Sequence, residues 1–90
     1  MLFDVRQEKK NRMNRKLGAI EYSSEYFEDH REGFAALQLF CKSNGETKHV
    51  ASATYWDACG QFYVETFGTD VPLDILEELI AEAKNRIKTE

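Results

Sequence analysis

The sequence predicts an α+β domain in which a three-stranded antiparallel meander is followed by a C-terminal amphipathic helix. Two turn signals, Asn44-Gly45 and Asp57-Ala58-Cys59-Gly60, separate apolar segments of strand length. Apolar residues then recur at helical spacing after Pro72. With helical segments expected before the strands, the predicted element order is α-β-β-β-α. Residues 1–90 are expected to form one small domain, because ninety residues support only one modest core.

The first turn signal sets the expected pairing of the first two strands. Asn44-Gly45 suits a type I′ turn, which needs positive φ at both central residues. Regular pairing outward from this turn gives Ser43 with Glu46, Phe40 with His49, Gln38 with Ala51, Ala36 with Ala53 and Phe34 with Tyr55. The second turn is expected to place Tyr55 opposite Phe62 and Ala53 opposite Val64.

Under this register both faces of the sheet are apolar, although an antiparallel sheet often has one polar face. The face predicted to receive the C-terminal helix carries Phe34, Ala36, Phe40, Ala51, Ala53, Tyr55, Phe62 and Val64. The second face carries Ala35, Leu37, Leu39, Cys41, Val50, Trp56, Tyr63 and Phe67. A slip of one residue in either hairpin would exchange the two faces.

The C-terminal helix is predicted from its cap, its first turn and its apolar spacing. Thr69 or Asp70 is expected to cap it, with Pro72 in the first turn, where a missing N–H is tolerated. The apolar positions that share one helical face are Ile75, Leu76, Leu79, Ile80, Ala83 and Ile87.

The N-terminal region is predicted to be helical. Asp4 is expected to cap a helix that runs to Lys16 and stops at Gly18, so that residues 1–18 form a peripheral or frayed basic helix. A second short helix is expected from Ser23 or Ser24 to about Arg31, with Gly33 as its stop. The alternative is a strand, which the alternation of Ile20, Tyr22, Ser24 and Tyr26 also fits.

Composition and charge narrow the functional classes. The chain has 42% hydrophobic residues and no apolar run long enough to span a membrane. Met1-Leu2-Phe3 is followed at once by Asp4 and basic residues, which is not the order of a signal peptide, so a cytoplasmic location is expected. Residues 1–20 carry a net charge of +4, whereas residues 21–90 carry −8.

A second apolar face needs a cover, which we expect to be either the N-terminal segment or another protein. The predicted function is a non-catalytic cytoplasmic interaction or assembly module, with a homodimer through this face as one form. The partner would be another protein or a second copy of the chain, and no membrane is expected. The residues predicted to form the interaction site are Leu37, Leu39, Trp56, Tyr63 and Phe67.

Nucleic-acid binding is the alternative function, because basic residues cluster in the first twenty positions. The residues predicted to contact phosphates are Arg6, Lys9, Lys10, Arg12, Arg15 and Lys16. The overall pI near 5.2 is the opposite of the usual basic footprint, so this function ranks second.

Catalysis, metal binding and cofactor binding are not predicted. His30, Cys41, His49 and Cys59 are the only residues of a formal Cys2His2 set, and no two have the short spacing of a structural zinc site. His49 and Cys59 are too far apart along the predicted strand to act as a base and its nucleophile. No phosphate-binding glycine loop is present.

Overall fold

The structure, a computed structural model, describes residues 13–87 as a five-stranded antiparallel sheet with one helix packed on one face. Strands that follow each other in the chain are neighbours in the sheet, in the order β1-β2-β3-β4-β5. The elements are β1 (Asn14–Leu17), β2 (Ile20–Asp29), β3 (Phe34–Ser43), β4 (Glu46–Trp56), β5 (Gln61–Thr66) and α1 (Leu73–Arg86).

The predicted order α-β-β-β-α with three strands is therefore wrong. The segment predicted as a second short helix is strand β2, which pairs with β3 over nine residues from Glu21 to Asp29. Tyr22 and Ser24 are buried on one side of β2, while Glu25 is exposed on the other. The alternative interpretation, a strand based on the alternation of Ile20, Tyr22, Ser24 and Tyr26, is correct. Such an alternation gives a strand one buried side.

The predicted N-terminal helix is also not found in residues 13–18, the part of that segment that the structure describes. Most of that segment, residues 1–12, lies outside the described residues. Asn14–Leu17 is strand β1, which pairs with the start of β2 so that Leu17 lies opposite Ile20. Gly18 has a φ of 63°. Its positive φ closes a two-residue hairpin loop instead of ending a helix.

The two predicted hairpin turns are confirmed. Asn44 and Gly45 have φ values of 54° and 80°, as a type I′ turn requires. In the second hairpin Tyr55 lies opposite Phe62, so the register of β4 with β5 is the predicted one. The sheet from β3 to β5 is therefore the predicted meander, extended by β1 and β2 at one edge.

A β-bulge at Val50 changes the pairing of β3 with β4. Phe40 lies opposite His49 as predicted, but Leu39 lies opposite Ala51. Val50 is the extra residue. From Leu39 back to Phe34, each β3 side chain therefore shares a face with the β4 side chains that the regular register places on the opposite face. The predicted pairs that fail are Gln38 with Ala51, Ala36 with Ala53 and Phe34 with Tyr55.

Helix α1 is confirmed, although its predicted start is wrong. It begins at Leu73, with Pro72 as the N-cap residue and without a capping hydrogen bond from a side chain. Ile75 and Leu79 are fully buried against the sheet, and burying each is worth about 1.5–3 kcal/mol. No helix within residues 13–87 is both long and apolar enough to cross a membrane.

The hydrophobic core lies between α1 and one face of the sheet, which we call the helix face. Leu37 and Leu39 of β3 are fully buried there. The buried core residues are Met13, Tyr22, Leu37, Leu39, Val50, Ala51, Ala53, Ile75, Leu79, Ala83 and Ile87. Small side chains on β4 leave room for the helix, whose large side chains fill the space between.

A polar network also holds α1 against the first two strands. The buried hydroxyl of Ser24 accepts a hydrogen bond from the Met13 backbone N–H (3.0 Å) and donates one to Glu82 of α1 (3.1 Å). The second carboxylate oxygen of Glu82 lies 3.2 Å from Arg86. Arg15 of β1 forms an ion pair with Glu78 of α1. These contacts orient the helix as well as stabilise it.

Candidate interaction surface

The face of the sheet opposite α1 is covered by no element within residues 13–87, and we call it the open face. The helix contacts β3 and β4 from the other side. Three large side chains of the open face are strongly exposed: Phe27 at 44%, Tyr63 at 50% and Phe67 at 42%. The aromatic residues of the open face are Phe27, Phe34, Phe40, His49, Trp56, Tyr63 and Phe67.

One group of rings, the Trp56 cluster, lies near the turns that join β2 to β3 and β4 to β5. Phe34 and Trp56 are a direct cross-strand pair with ring centroids 4.8 Å apart and planes tilted by 47°. Phe27 of β2 lies 5.8 Å from Phe34. Tilted aromatic pairs at these distances are favourable contacts in addition to their buried area. The cluster is therefore formed before any partner binds.

A second group, the His49 cluster, lies at the other end of the open face. The imidazole of His49 stacks on Phe40 with centroids 4.9 Å apart and planes within 28°. Phe67, just after β5, lies 4.8 Å from the same imidazole. The Nε2 atom of His49 is 3.0 Å from the Ser52 hydroxyl. That hydrogen bond and the two rings hold the imidazole in one orientation.

A polar row separates the two clusters. The row contains one residue from each of four neighbouring strands, and each lies directly opposite the next: Glu25 of β2, Gln38 of β3, Ser52 of β4 and Glu65 of β5. Ser52 is buried, while Glu25 and Glu65 at the ends of the row are exposed. The open face is thus two aromatic clusters divided by a polar row whose charges lie at its margins.

The structure divides the predicted interaction residues between the two faces. Trp56, Tyr63 and Phe67 lie on the open face. Leu37 and Leu39 do not, because both are fully buried against α1, and their predicted position beside Trp56 is wrong. The bulge at Val50 is the cause, since it reverses the relation between β3 and the second half of β4.

Four aromatic residues of the open face were missed in the predicted site. Phe34 and Phe40 were assigned to the helix face by the regular register. The regular register pairs His49 with Phe40, but His49 is considered only as a metal ligand or a base, and Phe27 lies in the segment predicted as a second short helix. Only Phe27 had a signal in the sequence, because a strand over residues 20–29 places it on the side opposite Tyr22.

Two of the six residues predicted to bind phosphate lie within the described part of the chain. Arg15 is ion-paired with Glu78, and its side chain is on the helix side of β1, opposite Tyr22. Lys16 is exposed and follows it on the other side of the strand. The structure therefore separates these two cations. Arg6, Lys9, Lys10 and Arg12 lie outside the described residues.

The cysteines and histidines of the formal zinc set do not come together. Cys41 lies opposite Tyr22 on the helix face, and Cys59 lies in the turn between β4 and β5. His30 is exposed, with Nε2 3.5 Å from the Glu28 carboxylate. From Met13 to Ile87, no three His, Cys, Asp or Glu side chains are grouped so that they could hold a metal ion.

Two tyrosines have a shifted pKa, and each has a cysteine beside it. Burial raises the pKa of Tyr22 above its ordinary value of 10.0, and the charge and hydrogen bond of Cys41 raise it further. A hydrogen bond with Cys59 is the main cause that raises the pKa of the exposed Tyr63. Both phenols therefore stay neutral at physiological pH.

Comparison with known proteins gives no match to any protein family, curated protein or solved structure. The geometry of the open face is therefore the basis for a functional proposal.

Proposed function

We propose that this protein is a non-catalytic cytoplasmic assembly module that self-associates through its open face. The observation that carries the proposal is the arrangement of the Trp56 cluster and the His49 cluster on a sheet face with no cover within residues 13–87. Aromatic residues near the centre of an exposed patch commonly provide most of the binding energy of an interface.

The size of the open face suits a second copy of the chain. At about 3.3 Å per residue and about 4.8 Å between strands, the five strands present a flat area of roughly 650 Å². A stable interface of standard size buries about 800 Å² on each partner, within about 200 Å² in either direction. Side chains that stand out from the sheet add to the flat value, so that two open faces meet this requirement.

The pattern on the open face is also self-complementary. Next to the polar row lies a row formed by Phe27, Ala36, Thr54 and Tyr63. A two-fold axis that runs between these two rows and crosses the strands places the His49 cluster of one copy against the Trp56 cluster of the second. Phe40 then faces Phe34 of the second copy, and Glu25 faces Phe27 instead of another carboxylate. This arrangement brings no two like charges into direct opposition.

The experiment is sedimentation equilibrium of the full chain and of the double variant Phe27→Ser/Phe67→Ser. We expect the native chain to have twice the mass of the variant, and the variant to keep an unchanged circular dichroism spectrum, since both side chains are exposed. Leu73→Ser is the matched control. Leu73 is 67% exposed but belongs to α1, so its replacement should leave the dimer intact.

A monomeric native chain up to about 1 mM, where association would amount to only about −4 kcal/mol, would contradict the proposal. So would a Phe27→Ser/Phe67→Ser variant whose mass equals that of the native chain. Nucleic-acid binding through the basic N-terminal residues stays a prediction. A mobility-shift assay at low and moderate salt tests it, because phosphate contacts give a steep salt dependence.

A further inference from the structure

We infer that β5 is a second interaction surface, whose free edge pairs antiparallel with β5 of another copy of the chain. Gln61–Thr66 is hydrogen-bonded to β4 on one side only. The backbone N–H of Phe67 donates to the Val50 carbonyl at 3.0 Å, which fixes the alternation along the strand. The backbone groups of Phe62, Val64 and Thr66 therefore point away from β4, and no other described backbone group bonds to them.

The β5 edge lacks the features that normally prevent edges from pairing. It has no lysine, arginine, proline or bulge, and Glu65 is its only charged residue. The opposite edge of the sheet, β1, is only four residues long and carries Arg15 and Lys16. One edge is thus short and basic, whereas the other is longer, regular and nearly uncharged.

Exposed apolar side chains are concentrated at the same edge. Seven large hydrophobic residues are exposed within residues 13–87, and three of them lie on β5 or directly after it: Tyr63, Val64 and Phe67. Tyr63 is on the open face, and Val64 is on the helix face. Pairing of two β5 strands would cover apolar surface on both faces as well as the unpaired backbone.

The sequence of β5 is compatible with pairing to itself. A two-fold axis perpendicular to the sheet keeps the helix faces of both copies on one side, so only residues of the same face can lie opposite each other. An axis at Tyr63 places Phe62 opposite Val64 of the second copy, and an axis at Val64 places Tyr63 opposite Glu65. Neither register opposes like charges, and each joins aromatic, β-branched or polar groups that pair well across strands.

This inference does not depend on dimerisation through the open face. Edge pairing extends the sheet sideways to ten strands, whereas the proposed dimer stacks two sheets. A chain that uses both surfaces would form tetramers, and a chain that uses only the edge would form dimers.

The test is disulfide trapping of the full chain under oxidised glutathione. Tyr63→Cys and Val64→Cys are made separately in a Cys59→Ser background, with Lys16→Cys on the β1 edge as the control. We expect one of the two β5 cysteines to form a covalent dimer at least about tenfold faster than the control, because a disulfide requires Cβ atoms within about 4.5 Å. Equal rates for all three variants would overturn the inference.

The same trapping in a Phe27→Ser background separates the two surfaces, because Phe27 lies on the open face of β2, away from the β5 edge. Rapid trapping of a β5 cysteine there would support edge pairing even if the open face does not associate. Loss of trapping in that background would contradict an independent edge. Val64→Lys gives a second readout, since a lysine on the helix side of β5 should halve the mass of any edge-paired assembly.

Discussion

Ser24 on β2 donates a hydrogen bond to Glu82 on α1 across 3.1 Å, although 58 residues separate them in the chain. The serine hydroxyl is fully buried and also accepts a hydrogen bond from the Met13 backbone. Glu82 in turn holds Arg86, whose guanidinium lies 5.2 Å from the centre of the Tyr26 ring. One hydroxyl therefore connects the edge of the sheet to the last turns of the helix.

Replacing this hydroxyl should destabilise the fold. Ser24→Ala leaves the Met13 N–H without its acceptor and the Oε1 atom of Glu82 without the serine donor, which should lower the free energy of unfolding by about 1–3 kcal/mol. Ser23→Ala is the matched control, because Ser23 is the preceding residue and points to the open face; its effect should be about 0.5 kcal/mol or less. Urea unfolding of both variants measures the difference. Equal effects would show that the network adds no stability.

The bulge at Val50 makes opposite predictions for two adjacent residues of β3. Leu39 is fully buried beneath α1, so Leu39→Ala should lower the free energy of unfolding by about 2–5 kcal/mol. Phe40 is on the open face, so Phe40→Ala should lower it by about 1 kcal/mol, mainly through the lost contact with His49. The measurement is urea unfolding at a concentration low enough that association does not contribute. A regular hairpin register would reverse the order of the two effects.

Ionisation of Tyr22 should destabilise the fold at alkaline pH. Burial raises its pKa above 10.0, with a further contribution from Cys41. Below pH 10.0 both states keep the proton, so the stabilising contribution is complete. Above it the unfolded chain releases the proton first, and stability falls as the pH rises through 10.0 towards the higher pKa of the folded state.

Tyr22→Phe tests this effect, because phenylalanine cannot ionise. The free energy of unfolding of the native chain, relative to that of the variant, should decrease between about pH 8 and about pH 11. Comparison of the two chains cancels the titration of lysines and other tyrosines that both share. A difference that stays constant over this range would contradict the assignment.

Much of the fold was predictable from local signals. Asn44-Gly45 needs positive φ and closes a hairpin, and the apolar spacing from Ile75 to Ile87 produces α1. These features depend on residues that are close in sequence. The sequence alone could therefore reveal the β3 to β5 meander and the helix.

The errors arose where tertiary contacts decide the structure. Ser24 occupies a buried position of β2 because Glu82 satisfies its hydroxyl, but in the sequence a serine there resembles a helix cap. Val50 is a β-branched residue that would fit a regular strand equally well, so nothing local indicates the bulge. Because of this bulge, Leu37 and Leu39 lie in the core, whereas Phe34 and Phe40 lie on the open face.

The emission of Trp56, the only tryptophan in the chain, provides the most direct test of self-association through the open face. Its ring contacts Phe34 in the cluster that the second copy would cover. On dilution from about 1 mM to about 1 μM, we expect the emission maximum to move to longer wavelength as water reaches the indole, over the same concentrations at which the mass falls. A maximum that does not change over this range would contradict a dimer through the open face.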